Sequence, residues 1–250
     1  RTLLTISEAG EDARGHWAFQ PLMEPEVPAV QDTSWVRTPI DSFILATLES
    51  RGLHPAAPAD KRTFLRRLHI NLTGLSPSFE EVEAYSAPAG GDSQSAIKRL
   101  LASPRFGERW ARHWLDIARY SDTKGYAYSP EEFNFVHGWL YRDWVVSAFN
   151  EDLPFDKFLM RQLAADQLLA LGECDLSDLA AMGFLTLGRR FIGVEQDIID
   201  DRIDVVTRGM LGLTASCARC HDHKYDPIPT SDYYALYGIF DSSCEKLVAL

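Results

Sequence analysis

Apolar residues recur every three or four positions along most of the 250-residue chain, and glycines, prolines and small polar residues interrupt them where helices would end. PIDSFILATLESRGL places Ile40, Phe43, Ile44, Ala46 and Leu48 at helical spacing before a stop at Gly52. DKRTFLRRLHINLTGL repeats the design, with Asp60 as the N-cap and Gly74 as the stop. In SPSFEEVEAY the expected cap is Ser76, with Pro77 at the first helical position and acids in the first turn. After the loop APAGGDS, further helices are expected in SQSAIKRLLAS, PRFGERWARHWLDIARYSD, PEEFNFVHGWLYRDWVVSAFN and PFDKFLMRQLAADQLLA. Pro104, Pro130 and Pro154 each stand where a helix can begin, because a first-turn residue needs no backbone N–H.

The last third is patterned less regularly. LAAMGFLTLGRRF reads as a helix broken by glycines, and VEQDIIDDRIDVVTRGMLGLTASCARCH as a helix that reaches a cysteine pair. A final short helix, SDYYALYGIF, follows the turn DPIPT, where Pro227 and Pro229 forbid continuation. No segment alternates as a strand would. The expectation is an all-α fold: a single multi-helix domain over 38–250 with an extended N-terminal arm over 1–37, rich in Pro, Glu and Asp. Both ends read as cuts within a longer chain, since RTLLTISEAGEDARGHW lacks the layout of a signal peptide and EKLVAL stops without a closing turn.

Composition narrows the function classes. A net charge of −11 argues against nucleic acid as the main partner, since phosphate binders need a basic surface. No apolar run approaches the roughly 18 residues that a spanning helix needs, so no transmembrane segment is expected in this region. Gly-rich phosphate loops, Gly-x-Ser-x-Gly elbows and His-Glu-x-x-His helices are all missing from the sequence.

Candidate chemistry concentrates in CARCHDHKYDP, Cys217 to Pro227. On a helix, Cys217, Cys220 and His221 share a face. Two thiols and one imidazole so placed suit covalent attachment of haem c, with the thiols joined to the two vinyl groups and His221 on the iron. Zinc is the alternative cofactor, held by Cys217, Cys220 and one or both of His221 and His223 in a non-haem scaffold or binding module. A redox dithiol ranks third, because no βαβ pattern accompanies the pair. The plainer reading of His223 is a turn residue bonded to Asp222 or Asp226. Cys174 and Cys244 are taken as buried apolar residues.

A distal iron ligand would come from elsewhere. His113 falls in the stripe Phe106, Trp110, His113, Ile117 and Tyr120, and is the first candidate, ahead of Met210, Met182, His137 and His16. An open iron position, as in a haem enzyme, is the other arrangement. The arginines of ERWARHWLDIARY suit either haem propionates or, as the blander reading, a buried ion-pair network with Glu108 and Asp116. The acidic run EQDIIDDRID suits a cation or a solvated helix face.

Taken in order, HWAFQPL, TPIDSFILATLESRGLHP, RRLHINLTGLSPSFEEV, LLASPRFGERWARHWLDIARYSDTKGY, YRDWVVSAFNEDLPFDKFLMRQLAADQLL and GLTASCARCHDHKYDPI resemble the planctomycete-type cytochrome-associated domain of unknown function. The resemblance implies an all-helical domain of a large exported protein, commonly preceded by a cytochrome c module and followed by a second uncharacterised domain. Its motif falls on Cys217, Cys220, His221, His223, Lys224, Asp226 and Pro227, and its Trp-Ala-Arg-His-Trp-Leu-Asp block on Trp110 to Asp116. Asn71 departs from it, standing where the family tends to have Asp. The expected function is a c-type cytochrome domain in extracytoplasmic electron transfer, periplasmic or at the cell surface. Its partners would be a redox protein or neighbouring domains of the same chain.

Overall fold

The computed structural model describes residues 15–125 and 133–249, and among these the architecture is all-α, with ten α-helices and no strand. Helices α1 (Pro39–Ser50), α2 (Lys61–Thr73), α3 (Phe79–Ser86) and α4 (Ser93–Leu101) form the N-terminal part. They are followed by α5 (Pro104–Ile117), α6 (Gly138–Asn150), α7 (Phe155–Leu171), the single turn α8 (Gly183–Thr186), α9 (Glu195–Val206) and α10 (Thr230–Asp241). No helix among the described residues is long and apolar enough to cross a membrane. Ahead of α1, a 3-10 turn at Trp17–Phe19 leads into extended chain, which Glu49 of α1 ties down by accepting the backbone N–H groups of Gln31 and Asp32 at 3.0–3.1 Å.

Several helix ends follow the sequence. Asp60 caps α2 through the N–H of Thr63, and Gly74 closes it in the left-handed region at φ 71. Two starts differ. The cap of α3 is Ser78, because Ser78 and Glu81 satisfy each other's backbone N–H groups in a capping box that Ser76 and Pro77 cannot make. Helix α6 begins at Gly138, since Asn134 instead bridges Thr123, with Lys124 donating to Phe133 O and Phe135 to Asp122 O. Pro130, the start expected from sequence, lies outside the described residues.

The main core joins Ala111 and Trp114 of α5 and its C-cap Ala118 to Tyr141, Val145 and Ala148 of α6, Phe158 of α7, Phe184 and Leu185 of α8, and Val205 of α9. At its centre Gln162, fully buried, accepts hydrogen bonds from Trp114 Nε1 (2.7 Å) and Tyr141 Oη (2.8 Å) and donates to Phe158 O. A second, smaller core joins Ile199 and Ile203 of α9 to Ala215, Ala218 and Tyr233. Helix α9 therefore couples the body of the domain to the cysteine segment.

At the edge, α2, α3 and α4 meet around His69, whose side chain is 6% exposed and whose Nε2 is buried without a hydrogen-bond partner, 3.8 Å from Glu81. Arg99 holds the same Glu81 carboxylate at 2.7 Å. Burial is the main cause lowering the pKa of His69; Glu81 opposes the shift and Arg99 reinforces it. The unfolded chain then takes the proton more readily, so stability present above the ordinary histidine value of about 6.5 is lost as pH falls through it. Between about pH 7.5 and 5.5 the melting temperature is expected to fall, and to fall less in His69→Leu; equal slopes in thermal scans would contradict this assignment.

Candidate functional site

The cysteine segment does not continue α9. That helix passes at Thr207–Leu211 into a π-helical turn and ends at Gly212, left-handed at φ 69. The expected single helix reaching Cys217 is thus replaced by a 3-10 turn, Ser216–Arg219, with Cys220 as its C-cap and His221 beyond it. In 3-10 geometry residues three apart eclipse. Ala215 and Ala218 are buried in the second core, while Cys217 and Cys220 share another edge and are exposed. The N–H groups of Cys220 and His221 both donate to Cys217 O, at 3.3 and 3.4 Å, so the three residues share one turn of backbone.

Besides the burial of Ala215 and Ala218, side chains of α9 and α10 hold this turn. Arg219, between the two cysteines, donates to Asp197 at 3.1 Å and lies 4.0 Å from Asp200, which also accepts from Tyr233 Oη. Tyr234 Oη donates to the Arg219 carbonyl at 3.1 Å. Asp201 holds Arg119 and Asp204 holds Arg208. The acidic run is therefore neither a cation site nor a bare solvated face: its aspartates at positions 197, 200, 201 and 204 grip arginines. Their helical spacing was the available signal; Arg208 is four residues from Asp204, but Arg119 and Arg219 lie outside the helix.

The rest of the motif builds a stitched turn. The His223 N–H donates to Ile228 O at 2.9 Å, and Asp222 Oδ1 accepts from the Thr230 N–H at the start of α10. His223 is buried, and its Nδ1 accepts the backbone N–H groups of Tyr225 (3.3 Å) and Asp226 (2.9 Å), which places its ring proton on Nε2. His221 has the opposite arrangement. It is exposed, and its Nδ1 lies 2.8 Å from the Asp222 carbonyl, which can only accept. That bond assigns the proton to Nδ1 and leaves the Nε2 lone pair free, the tautomer an Nε2-bound metal requires. Tyr225 and Tyr234 flank the turn at 71% and 52% exposure, with Lys224 Nζ 5.0 Å above the Tyr225 ring.

The other candidates are not gathered into one cluster. Among the described residues, no three His, Cys, Asp or Glu side chains are grouped to hold a metal ion. His113 is exposed on α5, its ring centroid 5.5 Å from that of Trp110. Within the same stripe Trp110 is 39% and Ile117 46% exposed, whereas Tyr120 packs against the main core. The inward face is Gly107, Ala111, Trp114 and Ala118, because small residues let α6 approach closely: a Cβ on Gly107 would stand 2.5 Å from Val146 O. His137 and His16 are exposed, whereas Met182 and Met210 are partly buried.

The expected buried network of Arg with Glu108 and Asp116 also takes a different form. Glu108 pairs at the surface with Arg105, and Arg119 pairs with Asp201. Arg112, Asp116 and Arg142 line a groove of about 470 Å³ between α5 and α6. Cys174 is partly buried, with its thiol donating to Ala165 O, and Cys244 is exposed in the segment after α10 rather than buried. All four cysteines are free thiols.

No curated protein and no solved structure matches this chain. A family model does, over residues 39–245, from the first residue of α1 to the segment beyond α10 and with the whole Cys217–Pro227 motif inside it. The chain belongs to the PSCyt2 family, described as a protein of unknown function (DUF1549).

Proposed function

We propose that this domain is a c-type haem domain working in extracytoplasmic electron transfer. The observation that carries the reading is the arrangement at the 3-10 turn: two exposed, unpaired thiols on one edge, beside an imidazole whose Nδ1 is tied to a carbonyl and whose Nε2 is free. These residues fit haem c. Cys217 and Cys220 would hold it, His221 would face its iron, and the exposed rings of Tyr225 and Tyr234 offer an apolar margin for a flat ligand. When bound, the haem supplies a one-electron couple. The chain's own part is to present the thiols, fix the His221 tautomer through Asp222 O, and hold the turn to α9 through Arg219 with Asp197 and Asp200.

His223 favours haem over zinc, because its Nδ1 lone pair already serves two backbone donors and the turn would have to open to release it. The arrangements to compare are a distal ligand from elsewhere in the chain, with His113 first and Met210, Met182, His137 and His16 behind it, and an open iron position. Covalent attachment implies maturation outside the cytoplasm, with a redox protein or adjoining domains as electron partners. Elemental analysis of protein exported from a host with haem-maturation machinery tests the reading: one iron per chain is expected. One zinc and no iron would select the scaffold instead.

A further inference from the structure

The loop between α8 and α9 and the segment after α10 meet at a site unrelated to the cysteine turn. Gly188 lies flat on the Arg119–Asp201 pair, where any Cβ would collide with both side chains. Phe191 then takes a left-handed backbone at φ 45, which costs a bulky residue about 1–3 kcal/mol and marks a conformation held by its surroundings. This loop delivers Arg190, whose Nη1 and Nη2 fork onto the two carboxylate oxygens of Glu245 at 2.9 and 3.0 Å. Arg202, reaching from α9, bonds the same carboxylate through Nη2.

The charges at this site do not balance. Two guanidiniums face one carboxylate in a chain whose net charge is −11. Arg202 has a side chain only 10% exposed, and its Nε is buried with no hydrogen-bond partner. A buried guanidinium in that state has unspent donor capacity, and planar forks of this kind match carboxylates. Glu245 itself stands in an exposed segment: residues 241–249 are all solvent-exposed. The receptor is built into the body of the domain, and its occupant is attached by a tether.

We propose that Arg190 and Arg202 form a binding site for a small dicarboxylate, and that Glu245 fills it in cis as a displaceable stand-in. A dicarboxylate brings the second negative charge that Glu245 lacks. Its binding would free the segment after α10, so the site couples ligand to the path of the chain beyond Asp241. The haem reading is not needed for this proposal. A tethered ligand competes at an effective concentration in the millimolar range, so its removal raises apparent affinity about tenfold or more.

The test is calorimetric titration of the full 250-residue chain with succinate. Glu245→Ala is expected to bind succinate at least about tenfold more tightly than the unaltered chain, and Glu245→Ala with Arg190→Ala to lose that gain. Thermal scans with and without succinate give a second readout, with a rise in melting temperature expected in the unaltered chain at high succinate, a larger one in Glu245→Ala, and none in the double variant. Three results would each overturn the proposal: no gain in Glu245→Ala, a gain that survives Arg190→Ala, or inorganic phosphate binding Glu245→Ala as tightly as succinate does.

Discussion

Trp114→Ala is expected to remove a large share of the domain's stability. Trp114 is 7% exposed, with its ring centroid 4.9 Å from that of Phe158 and 5.8 Å from that of Phe184. Emptying such a site costs about 3–5 kcal/mol through lost burial and the cavity left behind. The indole N–H also donates to Gln162 Oε1 and to Tyr141 Oη at 3.2 Å, so the variant removes the donor from a buried hydrogen-bonded cluster. Domains of this kind are stable by about 5–15 kcal/mol, so the loss is a large share of the whole. Urea unfolding should show a midpoint far below that of the parent chain, or no cooperative transition. Trp114→Phe keeps an aromatic ring and should lose less. A Trp114→Ala midpoint matching the parent would mean that the α5–α6–α7 core is not what holds the domain together.

The second large effect runs the other way. Replacing both Cys217 and Cys220 by alanine should leave the fold intact and abolish covalent haem completely. Both thiols are exposed, and the residues that anchor their turn are Ala215, Ala218 and Arg219. Substitutions at such surface positions change stability by about 0.5 kcal/mol or less. Unfolding midpoint and haem content, measured on the same preparation, separate the two consequences. A double variant that fails to fold would assign the thiols, or the group they hold, a structural role, and the iron and zinc content of the parent chain then separates haem from a zinc knot.

Much of the fold was legible because helix ends are written in single residues. Asp60, Gly74 and Pro104 act through local backbone chemistry, and each stands where the sequence placed it. Ser76 lost to Ser78 because a capping box needs its glutamate three residues on, and Glu81 supplies it. The inward face of α5 was hidden for a different reason. Gly107 and Ala111 are inside because they are small, a choice made by the closeness of α6, and a periodicity of large apolar residues does not mark them.

At the cysteine segment the sequence pattern suggested a helix carrying Cys217, Cys220 and His221, whereas the backbone there is a 3-10 turn that ends at Cys220. The contrast between His221 and His223 lay beyond the sequence. It depends on which ring nitrogen meets a carbonyl and which meets backbone N–H groups, and those partners exist only once the turn from Asp222 to Ile228 has closed. The arginine grips of α9 were hidden likewise, since Arg119 and Arg219 are far from it in sequence and their pairing depends on packing.

Haem absorbance after denaturation tests the central claim most directly. The chain is exported from a host with c-type maturation machinery, denatured, and separated on a gel. The account predicts that the haem signal stays with the polypeptide and disappears in the Cys217→Ala, Cys220→Ala double variant. A polypeptide that carries no haem under those conditions, with thiols free or zinc-bound at Cys217 and Cys220, would contradict it.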